Sequence, residues 1–352
     1  MREGDFMVHY PYQRFDYFID LLREAAIDPL VSSIRITLYR VASNSKVTSA
    51  LINAAKNGKN VVVVIELQAR FDEENNIYWA NKLREENVRV IFGVQGYKVH
   101  AKLCLITRKE NGKTTYFANI GTGNFNENTA RIYGDKGLFT TNQKIAYEVK
   151  QIFNFFENNL RKYNFQHLFV SPYTNRSNFI KLINREIRFA KAGKEASILL
   201  KMNNLVDQQM INKLYQASKA GVKIRLIIRG ICALKPGVPG LSENIKAIGL
   251  IDRFLEHARV YVFHNGGDNS IYISSADWMT RNLDFRIEVS CPVYDQTVKK
   301  EIMDILEIQW KDSVKARIHS AELNNEYRRR RGEELAIRSQ YSTYDYLTNL
   351  LQ

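Results

Sequence analysis

Runs of apolar residues with the spacing of β-strands alternate along the chain with segments of helical spacing. In the first half, the pattern predicts strands at 33–40, 60–68, 88–93, 102–108, 115–122 and 137–141, and helices at 46–57, 74–86 and 143–158. In the second half, it predicts strands at 197–203, 223–230, 259–265, 270–276 and 286–293, and helices at 207–220 and 296–312. This alternation predicts the α/β class, with mixed sheets flanked by helices.

The two halves of the chain also resemble each other. Residues 54–67, AAKNGKNVVVVIEL, align with residues 217–230, ASKAGVKIRLIIRG, as a helix end, a glycine and a buried strand. Periodicity is lost near 161–178, where Pro, Asn and Ser accumulate. We therefore expect a duplicated fold with domains at 1–163 and 164–320, followed by a basic C-terminal tail at 321–352.

A partial phosphate-binding motif lies between two predicted strands. Gly112-Lys113-Thr114 matches the end of a P-loop, but Thr107 stands where its first glycine is required. Because strands flank the segment, Asn111-Gly112 predicts a hairpin turn instead.

The charge balance is strongly basic, with 51 Lys and Arg against 37 Asp and Glu, a formal net charge of +14. An extended positive field concentrates polyanions, so nucleic acid, acidic lipid headgroups and phosphate polymers are all open as partners. Three scattered cysteines favour a reducing compartment over a disulfide framework or a thiolate zinc site. No apolar run approaches the ~20 residues of a membrane span, and a signal peptide is absent from the start, so a cytoplasmic protein is expected.

The first half carries a histidine with a lysine two positions later. His100 and Lys102 open a predicted strand, so their side chains are expected to project from the same face. At the end of the next strand, Thr122 and Asn124 offer a hydroxyl and an amide beside glycine-exposed N–H groups, which suit phosphate oxygens. Asp135 follows Asn124 by eleven residues.

The second half repeats this order. His257 and Arg259 open a strand, residues 274–277 end the next one, and Glu288 follows Asp277 by eleven residues. A single histidine beside a strand is most often a packing or surface residue. Two matched sets with the same spacing to a carboxylate favour a functional role.

The paired motifs resemble the phospholipase D superfamily. That superfamily has two HxK motifs, each followed by a G-S/T-x-N element, which meet at a pseudo-two-fold axis and transfer phosphoryl groups through a phosphohistidine. The resemblance implies two similar phospholipase D-like domains related by such an axis. Here Thr107 and His264 stand where the usual aspartates would be, and Arg259 replaces the second lysine. These departures weaken a phospholipase or nuclease interpretation.

Six longer segments are distributed over nearly the whole chain: ITLYRVA (36–42), VIELQARFDEENNIYWA (64–80), YKVHAKLCLI (97–106), IGTGNFNENTARIY (120–133), FLEHARVYVF (254–263) and SSADWMTRNLDFRIEV (274–289). Together they more closely resemble the catalytic C-terminal half of the long-form bacterial polyphosphate kinase family. The complete enzymes of that family have additional N-terminal domains that help to bind the base and build the dimer. The resemblance therefore implies that this chain is a fragment.

The family assigns the chemistry to the two histidines. His100 is implied to be the nucleophile that takes the terminal phosphate of ATP. A neutral imidazole must keep a lone pair on one nitrogen while the other donates to a carboxylate, and we expect Asp135 to be that carboxylate. His257, oriented by Glu288, is expected to act as general acid or base and to contact the nucleotide phosphates.

The family also implies an ATP site and a Mg²⁺ site. It places Tyr133, Arg229 and His257 around ATP, and Arg40 and Arg70 around the magnesium. An arginine has no lone pair with which to bind a metal, so we interpret Arg40 and Arg70 as phosphate clamps beside the ion, in its outer sphere. Lys102, Thr122 and Asn124 fit the same demand for cations and donors around a phosphoryl group in transfer.

The leading hypothesis is thus a kinase that moves phosphate reversibly between ATP and polyphosphate, with Mg²⁺ as cofactor. It implies ATP, ADP and polyphosphate as partners, no stable nucleic-acid partner, and an open possibility of a homo-oligomer. A phosphodiesterase of the same superfamily, acting on nucleic acid or phospholipid, is a second hypothesis. A non-catalytic basic module that binds polyanions is a third.

Overall fold

The computed structural model describes residues 4–67, 69, 71–161, 163–322, 324–330 and 335–350. The chain divides into two compact units. Unit 1 contains the residues up to Pro172 together with Phe285–Cys291, and unit 2 contains Tyr173–Asp284 and the chain from Pro292 onward. A short segment of the second half of the sequence therefore belongs to the first unit. The domain limits expected from the sequence, 163/164 and 320/321, stay predictions.

Unit 1 alternates strands and helices as the apolar pattern predicts. In chain order its elements are β1 Phe6–Tyr10, α1 Asp16–Ile27, β2 Val31–Leu38, α2 Lys46–Lys56, β3 Asn60–Ile65, α3 Glu73–Glu85, β4 Arg89–Phe92, β5 Lys98–Val99, β6 Lys102–Glu110, β7 Lys113–Gly121, β8 Tyr133–Thr140, α4 Gln143–Glu157 and β9 Phe169–Ser171.

Its main sheet has the strand order β1-β8-β7-β6-β2-β3-β4. The pairs β2–β3 and β3–β4 are parallel, whereas β2–β6, β6–β7, β7–β8 and β1–β8 are antiparallel. Between β6 and β7 the turn residues Asn111 and Gly112 have φ of 50° and 74°. Positive φ at both central positions is what a two-residue hairpin of type I′ requires, so the predicted turn is confirmed.

The core of unit 1 lies between this sheet and the helices packed on it. Phe18 and Leu22 of α1 and Leu51 of α2 are fully buried against Ile34 and Ile36 of β2. The apolar faces of the helices α1 and α2 thus pack on the apolar face of the strand β2.

The remaining elements follow the same plan. They are α5 Asn175–Lys191, β10 Ser197–Met202, α6 Gln208–Lys219, β11 Lys223–Ile228, β12 Ile245–Leu250, β13 Leu255–Glu256, β14 Arg259–Phe263, β15 Ser270–Ser274, α7 Thr280–Asp284, β16 Arg286–Val293, α8 Gln296–Trp310, β17 Ala316–His319 and α9 Ser339–Asn349. Side chains at the N-caps accept backbone N–H groups and fix several helix starts: Ser45 for α2, Asn142 for α4, Asp207 for α6 and Asp295 for α8.

Unit 2 is built around the strand order β17-β12-β11-β10-β14-β15. Its parallel pairs β10–β11 and β11–β12 and its antiparallel pairs β10–β14 and β14–β15 repeat the arrangement of β2, β3, β4, β6 and β7 in unit 1. The duplication and the α/β class predicted from the sequence are therefore confirmed.

An aromatic cluster forms part of the core of unit 2. The ring of Phe179 on α5 lies 5.0 Å from that of Tyr261 on β14, and both contact Trp278, which is fully buried. Trp278 is the neighbour of Asp277, so this packing fixes the position of the Asp277 backbone as well.

The helical and strand assignments made from periodicity agree with the structure to within a few residues at each end. The apolar pattern does not predict β1, α1, β9, α5, β12 and β17, nor the two-residue strands β5 and β13 and the five-residue helix α7. Among the described residues, no helix combines the length and apolar character needed to cross a bilayer.

Candidate active site

His100 lies in a short connection between β5 and β6, and backbone hydrogen bonds hold it there. The N–H groups of His100 and Ala101 both donate to the carbonyl of Ile287 on β16, at 2.9 Å each. The N–H of Val99 donates to the buried carboxylate of Glu66, at 3.1 Å. The backbone at the histidine is thus fixed from two sides within unit 1.

A buried carboxylate faces one nitrogen of the His100 ring. Nδ1 of His100 lies 2.9 Å from Oε2 of Glu288, whose side chain is fully buried. Burial holds the pKa of His100 well below its usual value; Glu288 opposes this shift, and Lys102 and Arg286 add to it. The ring is therefore neutral near pH 7, and its Nδ1–H donates to Glu288.

The neutral tautomer leaves the lone pair on Nε2 of His100. Within the described part of the chain, no hydrogen bond or ion pair reaches Nε2, and 11% of the side-chain surface is exposed. An imidazole with Nδ1 held by a carboxylate and Nε2 open is the arrangement that nucleophilic catalysis requires.

Lys102 and Tyr39 surround the same histidine. Lys102 is buried, donates to the carbonyl oxygen of His100, and places Nζ 5.3 Å from the centre of the Tyr39 ring. The Tyr39 ring stands edge-on to the His100 ring at 4.8 Å, and burial raises the pKa of its hydroxyl. Sequence reasoning missed Tyr39, although its position directly after β2 beside β6 is a usable signal.

Thr122 and Asp135 form a separate pair near Lys102. The register pairs Lys102 with Gly121, so the loop that contains Thr122 begins beside the lysine. The Thr122 hydroxyl donates to Oδ1 of Asp135 at 2.7 Å, and both residues are buried. A Cβ on Gly123 would lie 2.0 Å from Oδ2 of Asp135, so this position requires glycine.

Asn124, at the end of this loop, presents an unusual atom. Its Oδ1 is buried and has no hydrogen-bond partner among the described residues. A buried polar atom without a partner is costly, and a bound ligand is one way in which it is satisfied.

The predicted carboxylate partner of His100 is wrong, whereas the pairing of Glu288 with His257 stays a prediction. We expected Asp135 to orient His100 and Glu288 to orient His257, whereas the structure puts Glu288 against Nδ1 of His100 and Asp135 against Thr122. The reason is the pairing of β16 with β5, in register Ile287 with Val99, which brings Glu288 into unit 1 next to His100.

In unit 2, Arg259 links His257 to Asp277. The Arg259 Nη1 donates to the carbonyl of His257 at 2.9 Å and lies 3.2 Å from its Nε2, while Nε donates to Oδ1 of Asp277 at 3.0 Å. Asp277 also accepts hydrogen bonds from Asn203 and Asn204. Burial alone would raise the pKa of Asp277, but the contacts with Arg259, Asn203 and Asn204 hold it below its usual value. This carboxylate is therefore ionised and fully engaged.

The two units support their histidines in the same way. Lys102 and Arg259 each donate to the carbonyl of the histidine two positions earlier. Glu66, which follows β3, holds the N–H of the residue before His100, and Arg229, which follows β11, donates from Nε to the carbonyl of Glu256 at 2.6 Å. Arg229 also bonds Asn203 at 2.5 Å.

Three other site residues predicted from the sequence are Arg40, Tyr133 and Arg70. Arg40 directly follows Tyr39, and its Nε lies 3.2 Å from the Asp72 carboxylate, with one third of its side chain exposed. Tyr133 is half-buried at the start of β8. Arg70 lies outside the described residues.

A metal ion held by the protein alone needs several side-chain ligands close together. Within those ranges, no group of three His, Cys, Asp or Glu side chains is placed to hold a metal ion. The described chain therefore offers no cage made of protein ligands alone.

The fold and the site define a duplicated α/β protein with a supported histidine in each unit. A phosphatidylserine synthase from Haemophilus influenzae Rd KW20 shares this fold, with a TM-score of 0.59 at 10% identity over 100% of this chain and 93% of that one. Models of two protein domains match the sequence itself: polyphosphate kinase C-terminal domain 1 over residues 1–162 and polyphosphate kinase C-terminal domain 2 over residues 168–340. The chain belongs to the polyphosphate kinase family.

Individual relatives agree with this family. The polyphosphate kinase of Vibrio cholerae serotype O1 is 55% identical over 350 residues, which are 99% of this chain and 50% of that protein. The polyphosphate kinase of Escherichia coli K12 is 50% identical over 352 residues, 100% of this chain and 51% of that protein. The crystal structure of polyphosphate kinase from Porphyromonas gingivalis superposes with a TM-score of 0.92 at 46% identity, over 98% of this chain and 53% of that one. The chain thus spans about half the length of the relatives it matches, and the family resemblance found in the sequence is confirmed.

Proposed function

We propose that this chain carries the phosphoryl-transfer site of a polyphosphate kinase, in which His100 takes the terminal phosphate of ATP and passes it to polyphosphate. The observation that carries the proposal is the neutral His100 ring, with Nδ1 held by Glu288 at 2.9 Å and Nε2 open. Relatives of the same family are named polyphosphate kinases, which supports this choice of substrates.

The proposed reaction has two balanced halves. The lone pair on Nε2 of His100 attacks the γ-phosphorus of ATP, the bond from that phosphorus to the bridging oxygen breaks, and ADP leaves. The positive charge that develops on the ring is stabilised by Glu288 through Nδ1–H. A terminal oxygen of polyphosphate then attacks the phosphorus of the phosphohistidine and the P–N bond breaks. The polyphosphate is then longer by one phosphate, and the His100 ring is neutral again.

The cations and donors near His100 suit the charge of a phosphoryl group in transfer. Lys102 lies next to the histidine carbonyl, and the side-chain NH₂ of Asn124 can donate to a phosphate oxygen. Arg40, the residue after Tyr39, is anchored through Nε to Asp72. In the proposal these groups lower the barrier by neutralising the phosphate oxygens. Thr122 acts through Asp135, because its hydroxyl proton already goes to that carboxylate.

His257, Arg229 and Tyr133 are the residues that we propose for contacts with the nucleotide, as the family resemblance implies. His257 is held by Arg259 and acts as general acid or base, or contacts the phosphates directly. Arg229 is fixed through Nε, which orients the rest of its guanidinium. Tyr133 is proposed to contact the nucleotide.

Magnesium belongs to this proposal as part of the substrate. Mg²⁺ keeps several waters and is usually bound through one or two carboxylates and the substrate phosphates. The described residues have no three-ligand protein cluster, so they fit an ion that arrives as Mg·ATP. Arg40 and Arg70 would then contact the phosphates beside the ion rather than the ion itself.

The same proposal extends to the partners and the location of the protein. The net charge of +14 suits a phosphate polymer as partner. We further propose a cytoplasmic location, where ATP is available, no stable nucleic-acid partner, and association of copies of the chain as in the dimeric family.

The proposal is tested by incubating the chain with Mg·ATP and a short polyphosphate, and measuring ADP release and polymer length on a gel. We expect one ADP for each phosphate added, and neither product with His100→Ala. His167→Ala is the matched control, because His167 has no place in the site, and it should behave as wild type.

Two other results would overturn the proposal. Hydrolysis of a phosphodiester without polymer growth would identify a phosphodiesterase with water as acceptor. Salt-dependent DNA binding that His100→Ala leaves unchanged, with no turnover of ATP, would identify a non-catalytic module.

A further inference from the structure

The stretch that leads into His257 is held by a side chain from the C-terminal helix. Gln340 on α9 accepts a hydrogen bond from the N–H of Phe254 at 2.9 Å and donates to the carbonyl of Phe254 at 2.8 Å. Its amide nitrogen also lies 2.9 Å from Oε1 of Glu256, and only 2% of the residue is exposed. The glutamine amide therefore pairs with Phe254 as the peptide group of a neighbouring strand would.

The helix that carries Gln340 is itself anchored at both ends. Arg338 binds both oxygens of Asp252, at 2.9 and 2.6 Å. The N–H of Ser339 donates to Asp312 at 2.7 Å, and near the other end the hydroxyl of Tyr346 donates to Asp304 on α8 at 2.8 Å. Because α9 is fixed in this way, the position of the Gln340 amide is fixed with it.

Glu256, the last residue before His257, is fixed by its side chain and its backbone. Its buried carboxylate forms an ion pair with Lys201 and accepts a hydrogen bond from Gln309 at 3.0 Å. Its carbonyl accepts the hydrogen bond from Nε of Arg229. At Phe254, the start of this stretch, the Gln340 amide bonds both backbone groups.

We propose that Gln340 is a positioning residue for His257: the C-terminal helix fixes the backbone of residues 254–256 and, through it, the direction in which the imidazole is presented. A side-chain amide carries an acceptor and a donor side by side, so it can accept from the N–H and donate to the carbonyl of the same residue, which explains a buried glutamine here. The link to catalysis rests on the proposed function, whereas the control of the His257 backbone does not.

The experiment compares Gln340→Met with Gln309→Met in the full chain. Methionine keeps the volume and the apolar contacts of glutamine and removes its hydrogen bonds. Gln309 is the matched control, because it is equally buried and bonds the Glu256 carboxylate but not the backbone of Phe254. Amide hydrogen exchange of peptides covering 252–258 and the NMR resonance of the His257 Cε1–Hε1 group are measured for both.

For Gln340→Met we expect exchange in 252–258 to be roughly tenfold faster and the His257 resonance to move, since two backbone hydrogen bonds are lost. Gln309→Met removes one side-chain hydrogen bond to Glu256 and no backbone hydrogen bond, so it should change both readouts much less, even where it lowers Tm by as much. Wild-type protection in Gln340→Met, or equal changes in both variants, would overturn the proposal.

Turnover separates this proposal from the proposed function. In an active chain, Gln340→Met should lower kcat for phosphate transfer with little change in KM for ATP. A wild-type chain that transfers no phosphate would count against the proposed function alone, because exchange and the imidazole resonance still decide the role of Gln340.

Discussion

Glu288 lies 2.9 Å from Nδ1 of His100, although 188 positions separate the two residues in the sequence. The contact exists because Ile287, the neighbour of Glu288, accepts the N–H groups of both His100 and Ala101. Backbone and side chain of one strand, β16, thus set the position and the tautomer of the proposed nucleophile together. The histidine is prepared for attack by a segment from the other half of the sequence.

Glu288→Gln should slow phosphorylation of His100 by ATP by on the order of 10²-fold, because the amide can still accept from Nδ1–H but no longer stabilises the charged ring. The rate of incorporation of label from γ-labelled ATP measures this. Glu85→Gln, an exposed change of the same kind, is the control and should have no effect. Labelling of Glu288→Gln at the wild-type rate would remove the carboxylate from its role.

The lowered pKa of His100 predicts a loss of stability in acid. A free histidine titrates near ~6.5, so below that pH the unfolded chain binds a proton that the buried ring in the folded chain does not. Stability then falls as the pH drops from ~6.5 towards the folded pKa, by at most about 1.4 kcal/mol per pH unit. When the pH is lowered from about 7.5 to about 5.5, the Tm of the wild type should decrease more than the Tm of His100→Gln. Equal decreases would contradict the assignment of a buried neutral ring.

Arg259→Lys should destabilise unit 2 despite the conserved charge. Arg259 spans the Asp277 carboxylate and the His257 carbonyl, and a single ammonium group cannot reach both in this geometry. We expect a loss of about 1–3 kcal/mol in denaturant unfolding. Arg188→Lys on the exposed face of α5 is the matched control. An Arg259→Lys protein as stable as wild type would show that the bridge contributes little.

Chelation should stop the reaction. If magnesium enters as Mg·ATP, EDTA abolishes both labelling of His100 and growth of polyphosphate, and added Mg²⁺ restores them. The measurement is ADP release with and without EDTA. Transfer that persists in EDTA would favour a metal-independent, double-histidine phosphodiesterase chemistry.

Much of the fold, and the positions of the two histidines, could be predicted from the sequence. The buried strands that precede the sites are continuous β-branched runs, such as residues 60–65, and the two HxK/R segments stand at the starts of β6 and β14 as expected. The repeat of 54–67 in 217–230 also places Glu66 opposite Arg229, and both prove to hold the backbone before a histidine. That alignment is the sequence signal for a role of Glu66.

The partners of the histidines could not be predicted in the same way. The equal spacing of Asp135 and Glu288 from their motifs suggests a partner within each half, but strand pairing between β5 and β16 decides the contact to His100. Gln340 lay in a stretch whose sequence shows only a basic loop and a short helix. Its role depends on the docking of α9, a tertiary contact that no local pattern encodes.

The measurement that tests the central claim most directly is the site of label after incubation with γ-labelled ATP. We predict one acid-labile, base-stable phosphate on the wild-type chain, located on the peptide that contains His100, and none on His100→Ala. Equal labelling of the two proteins, or label on a different residue, would contradict the account.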